Sequence, residues 1–373
     1  MTWLTGWKKR IKLDIDYTNK IGASVTHFPV AIFLKSDNGD STKVFDEVGA
    51  NSRKIAITKA DGETELKGEI EQWDSVNEKG VIHTSITGWT INANTSIYLY
   101  YDNDHANNGN IGLSADGSVA THAVWDSNFK MVQHMVDDTT SAIKDSTSNN
   151  NDGAKLGAGE PAEADGKIGK GQDFDGTDDR INVGTDSSLD VGSGGDFTIE
   201  AWIKTLDVSE KGTIFRGDSI GTDPQRKLYS MTIRTDGKIY LEIIDSDNSM
   251  ISPATTSATV DDGSWHHVVG VLDSGATAKI YLDGAEDASE DASEITGAIN
   301  PSVDKTIGSW INQVPEWIAF FDGIIDEIRF SNSNRSAAWI KATYNSGNDS
   351  LLTYGSEEAA PSVDTGNFFN LFN

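Results

Sequence analysis

The residue that first asks for a chemical explanation is Asp326, in the run FDGIIDEIRFS over residues 321–331. Read at a period of two, Ile324, Asp326, Ile328 and Phe330 share one face of a strand, and Ile325, Glu327, Arg329 and Ser331 share the other. A carboxylate on an apolar face costs several kcal/mol unless it is hydrogen-bonded, paired with a cation or bound to a metal. The histidines offer less, because His266 and His267 are adjacent in a strand and point opposite ways, so they cannot chelate one ion together. Glu200 stands alone on FTIEAWIK, with Thr198, Trp202 and Lys204 on its face. The paired carboxylates of acid–base glycosidases are absent from that strand. The sequence carries no nucleophile elbow, no phosphate-binding glycine loop and no Cys/His zinc spacing. The expectation is a protein that is not an enzyme.

Binding chemistry is better represented. Saccharides are held by aromatic rings stacked on apolar pyranose faces with polar side chains beside them. The candidates are Trp202, Trp310 and Trp317, with Arg216, Tyr229 and Arg234. Trp310 and Trp317 flank a proline-containing loop, GSWINQVPEW. The alternative for each is simple core filling, as expected for Trp265 and Trp339.

The elements that position these residues are strands. Trp7, Lys9, Ile11, Leu13 and Ile15 alternate with charged residues. Further short strands are expected at 28–34, 53–58, 65–73, 81–87 and 95–101, separated by Asp-Gly and Asn-rich turns. Six strands in about a hundred residues make a small all-β sandwich. A polar stretch, DNDHANNGNIGLSADG, reads as linker, and a second run of strands follows. The whole chain has 373 residues, no cysteine and a formal net charge of -28. That charge disfavours nucleic acid and anionic membrane surfaces as partners. No apolar run reaches the ~18–20 residues needed to span a bilayer, and the first residues, MTWLTGWKKR, lack the apolar core of a signal peptide. Synthesis in a cytoplasm and no membrane insertion are expected.

The second half carries five motifs in order: Phe174-Asp175-Gly176, FTIEAWI over 197–203, Trp265-His266-His267-Val268, Ile280-Tyr281-Leu282-Asp283-Gly284, and Gly323-Ile-Ile-Asp326-Glu327-Ile328-Arg329. In this order they resemble a laminin-G-like domain of the concanavalin A-like lectin/glucanase superfamily. The resemblance implies a jelly roll of two antiparallel sheets over residues 122–355, in which the WHHV segment is structural. It also implies a structural Ca²⁺ between the first and last strands, with Asp326 as one carboxylate and Asp137, Asp138 or Asp145 as the next. Asp175, Asp178 and Asp179 are a rival acidic cluster, or an ordinary turn. Residues 3–108, with Trp7 and Arg10, Phe28-Pro29-Val30, GEIEQWD and SIYLYYDN, resemble a domain family of unknown function found in bacterial and phage proteins.

The fold class expected is therefore all-β: two antiparallel β-sandwich domains, the second a concanavalin A-like jelly roll. The divisions are 1–110, a linker 111–121, the jelly roll 122–355 and a tail 356–373 ending in Phe368, Phe369, Leu371 and Phe372. The function expected is non-enzymatic: a phage-type virion surface protein whose jelly roll adheres to host-surface glycan. Its partners would be other virion proteins, and it would form a homo-oligomer. A bacterial cell-surface or secreted carbohydrate-binding module is the alternative.

Overall fold

A computed structural model describes residues 2–361 apart from 115, 140, 158–159, 207, 209, 220–226, 256–257, 302 and 313–315. The aromatic cluster expected to act at residues 368–372 lies outside the described residues.

The chain folds around two apolar cores. The first fills a sandwich of two four-stranded sheets. One sheet has the order Leu352–Ala359, Lys9–Ile15, Thr95–Tyr101, Ile55–Thr58, and the other Val30–Leu34, Lys79–Ser85, Lys67–Asp74, Ile111–Leu113. The alternation read from the sequence holds: Ile11, Leu13 and Ile15 are buried, and they meet Ile55, Ile57, Ile97 and Leu99 in one core. Arg10, on the opposite face of the strand, is also buried, its guanidinium 4.2 Å from the Trp3 ring and 4.0 Å from that of Tyr98.

Two boundaries differ from those expected. Residues 111–121 are not a free linker: Ile111–Leu113 pairs parallel with Lys67–Asp74, and a short helix, Val119–His122, packs beside it. Residues 356–359 are not tail, because Leu352–Ala359 is a complete strand antiparallel to Lys9–Ile15. The acidic sequence hid it, since Glu357 and Glu358 are held by Tyr101 at 2.6 Å and Arg10 at 2.7 Å. The second unit is thus inserted into the first.

That second unit is a jelly roll. Most of its strands form one continuous hydrogen-bonded path that curls into two facing layers around a core including Phe197, Phe215, Tyr229, Ile307, Phe321 and Phe330. The outer surface of one layer is covered. Val269, Val271 and Tyr281 pack under Ile340 of the helix Ala337–Gly347, and Trp202 packs with Ala31, Phe33 and Val81 of the first unit. The same helix sends Trp339 and Ala342 into the first core. It starts at Ser336, whose hydroxyl accepts from the Trp339 N–H at 3.2 Å, satisfying one of the end donors no helical carbonyl can reach. No helix among the described residues is long and apolar enough to cross a membrane.

The phase of the Asp322–Ser331 strand departs from simple alternation. Glu327 has φ 51, and the pairing with Phe197–Lys204 slips between Glu200 and Trp202. An extra residue in one strand of a pair reverses the side-chain phase beyond it. The residues sent to the core are Ile325, Ile328 and Phe330, not Ile324. Asp326, Glu327 and Arg329 are buried but lie outside that core. The apolar face expected for Asp326 is therefore not the one it occupies.

Candidate functional site

The layer of the jelly roll opposite the one that the first unit covers carries the first candidate site. Gly212–Asp218 pairs with both Leu228–Ile233 and Lys305–Gly308, while Arg180–Gly184 lies beyond Lys305–Gly308. Core-facing Phe215 alternates with Arg216. The Arg216 guanidinium donates to Asp218 at 2.7 Å and Ser230 at 3.2 Å, and it lies 3.5 Å from Glu242. It also lies over the Trp310 ring, 4.0 Å from its centroid. Trp310–Ile311 and Trp317–Ile318 form a two-stranded ribbon, and Arg180 lies 4.4 Å from the Trp317 centroid. Both indoles are half-buried, and the Trp310 Nε1–H is buried with no hydrogen-bond partner. Lys211 and Arg234 hold Glu242 at 3.0 and 2.7 Å. Burial raises the Glu242 carboxyl, but Lys211, Arg216 and Arg234 outweigh it and keep it below the usual carboxylate range.

Of the six expected ligand residues, Trp310, Trp317, Arg216 and Arg234 therefore lie on one layer, Arg216 buried beneath Trp310 and linked to Arg234 through Glu242. Trp202 and Tyr229 do not join them. Trp202 is 2% exposed under the first unit, stacked on Tyr344 with centroids 5.6 Å apart. Tyr229 is fully buried, its hydroxyl donating to the Leu189 carbonyl at 2.9 Å. Each fills space that a sugar cannot reach. Arg234 lies over the Tyr240 ring at 3.9 Å.

This architecture has counterparts. Residues 175–341 match the family model of the concanavalin A-like lectin/glucanases superfamily. No curated protein matches the chain. Among solved structures, the binding domain of Paraclostridial Mosquitocidal Protein 1 is 16% identical, with a TM-score of 0.47 over 59% of this chain and 52% of that one. The botulinum neurotoxin serotype G binding domain is 14% identical, with a TM-score of 0.43 over 58% and 50%. Domain 4 of AbnA, a GH43 extracellular arabinanase from Geobacillus stearothermophilus solved with arabinotriose, is 24% identical, with a TM-score of 0.40 over 55% and 97%. The chain spans about half the length of the two toxin binding domains.

The expected metal carboxylates of the laminin-G-like unit sit apart. Asp145 is a loop organiser: Oδ1 accepts from the Val132 and Thr147 N–H groups, both at 2.9 Å, and Oδ2 from the Thr147 hydroxyl and the Asn151 N–H, both at 2.8 Å. Burial pushes its pKa up to about 6 against those donors. Asp138 is exposed, and Asp137 pairs with Lys155 at 2.9 Å. Asp326 Oδ2 accepts from the Ile168 N–H at 2.8 Å, and its Oδ1 has no partner. Among the described residues, Asp138, Asp145 and Asp326 do not come within reach of one ion. Asp175, Asp178 and Asp179 do cluster, as a turn in which Asp175 Oδ1 accepts from Thr177 N–H at 2.8 Å and Asp178 N–H at 3.3 Å.

A second constellation went unread in the sequence. Where the sheet containing Lys67–Asp74 and Lys79–Ser85 faces the laminin-G-like unit, Glu69, Glu71 and His83 meet His134, Glu327 and Arg329, all buried. His83 Nε2 lies 2.7 Å from Glu71 Oε2, and His134 Nδ1 lies 2.5 Å from Glu327 Oε1 and 3.6 Å from Glu71 Oε2. The two imidazoles stack with centroids 4.7 Å apart. Arg329 binds Glu327 through Nε at 3.0 Å and again through a terminal nitrogen, and reaches Glu200 at 3.4 Å. Burial and the charge on His134 lower His83 to about 3. His134 is raised despite burial, because Glu327, Glu69 and Glu71 surround it. The first unit contributes Glu69, Glu71 and His83 from strands that show only ordinary alternation, so pairing them with residues beyond 130 needed the fold.

Proposed function

We propose that the chain is a non-catalytic adhesion protein that binds glycan at the Trp310–Trp317 ribbon of its laminin-G-like unit. The reading rests on one observation: two half-buried tryptophans, Trp310 and Trp317, each lie against an arginine on the layer opposite the one that the first unit covers. Indole faces with guanidinium and carboxylate groups beside them suit a saccharide, which presents apolar C–H faces rimmed by hydroxyls. Catalysis by Asp218 and Glu242 is disfavoured because each already holds a cation. A general acid instead needs a carboxyl raised toward neutral pH.

The test is a glycan array probed with the full chain, followed by calorimetry on the best hit with Trp310→Ala and Trp317→Ala. Binding that falls about tenfold or more in both variants supports the reading. No retained glycan, or unchanged affinity in both variants, overturns it.

The setting we propose is a virion surface, with a bacterial cell surface as the second reading. Support comes from the resemblance of residues 3–108 to phage and bacterial sequences. Assembly into a defined homo-oligomer, measured by light scattering, would favour the virion; a monomer at all concentrations would favour the cell-surface module.

A further inference from the structure

We propose that Glu71, His83, His134 and Glu327 form a site for a borderline divalent transition ion, of which Zn²⁺ is the type, that clamps the first unit to the laminin-G-like unit. One atom from each side chain can be chosen so that all four lie within 4.8 Å of one another. Two imidazoles and two carboxylates are the donor set that zinc and its neighbours take, whereas Ca²⁺ asks for six to eight oxygens.

The spacing fits. A tetrahedral ion with bonds of about 2.0–2.1 Å holds its ligands about 3.3 Å apart. The contacts at 2.5, 2.7 and 3.6 Å fall on either side of that value, so side-chain shifts of a few tenths of an ångström admit the ion. A buried atom supports this independently: no hydrogen-bond partner reaches Glu71 Oε1, the second oxygen of a proposed ligand. An unsatisfied carboxylate oxygen in a buried site is costly unless something supplies positive charge.

The surroundings are those of a built site. Arg329 fixes Glu327. Glu69 is held by the Trp125 indole at 2.6 Å and the Ser146 hydroxyl at 2.5 Å, and its Oε1 lies 3.5 Å from His134 Nε2. A carboxylate facing the far nitrogen of a ligating histidine sets its ring orientation and raises its basicity. Charge argues the same way, since four carboxyl groups, Glu69, Glu71, Asp326 and Glu327, crowd one seam around Arg329 and His134. An entry path exists: a cavity of about 160 Å³ is lined by Glu71 and His134, by half-buried Lys144 and by exposed Asp138.

The experiment uses the untagged full chain, stripped with chelator, reloaded with Zn²⁺ or Co²⁺ and passed over a desalting column. The expected result is one ion retained per chain and a melting temperature several degrees above that of the stripped protein. His83→Gln and His134→Gln should each lower metal affinity about tenfold or more. Substoichiometric retention by the wild-type chain with no change in melting temperature overturns the proposal. So does full retention by the double variant, which would place the ion elsewhere. Should the variants fail to fold, X-ray absorption on the zinc-loaded wild type decides: imidazole scattering supports the site, and an all-oxygen shell overturns it.

Discussion

Arg10 donates its Nε to Glu358 at 2.7 Å, and that bond ties the first long strand of the chain to the last described one. Around it, Lys9 pairs with Ala359 and Ile15 with Leu352. A chain ended at residue 351 leaves Lys9–Ile15 as an open edge and removes the carboxylate that a buried guanidinium binds through Nε. Calorimetry should show the first unit melting far below the wild type or not folding. A chain ended at residue 361 should melt within a degree or two of it. Equal melting of all three would show that this strand contributes nothing.

The two kinds of tryptophan should separate stability from binding. Trp202→Ala removes a ring packed between both units and should cost about 3–5 kcal/mol. Trp317→Ala removes a half-buried ring on a ribbon and should cost about 1 kcal/mol or less, while abolishing glycan retention. Denaturant melts beside affinity chromatography read both effects.

Asp145→Asn tests the loop organiser. Both carboxylate oxygens accept two donors, and the amide replaces one acceptor with an N–H facing donors. The expected loss is about 1–3 kcal/mol in urea unfolding. An unchanged midpoint would mean that the loop carries no stability.

His266 should tune stability with pH. It bonds Asp283 at 2.9 Å and Asp262 at 3.3 Å, and the bond to Asp283 raises its pKa more than burial lowers it. A histidine raised on folding contributes in full below the unfolded value of about 6.5, and the contribution is lost as pH rises through the raised value. The effect should be under about 1 kcal/mol, since the pair is partly solvated. His266→Gln should flatten the melting temperature across that window; an identical slope in wild type and variant would remove His266 as its source.

Much of this architecture was legible, and the failures have physical causes. Alternation at Ile11, Leu13 and Ile15, and the motifs from Phe174 to Arg329, specify strands because one face of each is buried. The phase of Asp326 was misread because the irregularity at Glu327 depends on how the neighbouring strand pairs, which no local pattern encodes. Trp202 looked like a binding surface because its cover, Phe33 and Val81, comes from a distant part of the chain. The strand at 352–359 looked like a linker because its charges meet partners hundreds of residues away. The buried Glu71–His83 pair is not legible because GEIEQWD and the strand of His83 carry no sign of the residues beyond 130 that they meet.

The pairing of Lys9 with Ala359 puts the first and last strands of the first unit, which flank the insertion in sequence, side by side at one end of one ladder. A pull applied between Lys9 and Ala359 breaks its hydrogen bonds one pair at a time, from Lys9 toward Ile15, rather than shearing them together. The first unit is therefore the part that yields under tension. The jelly roll hanging inside it takes load only after that ladder has opened.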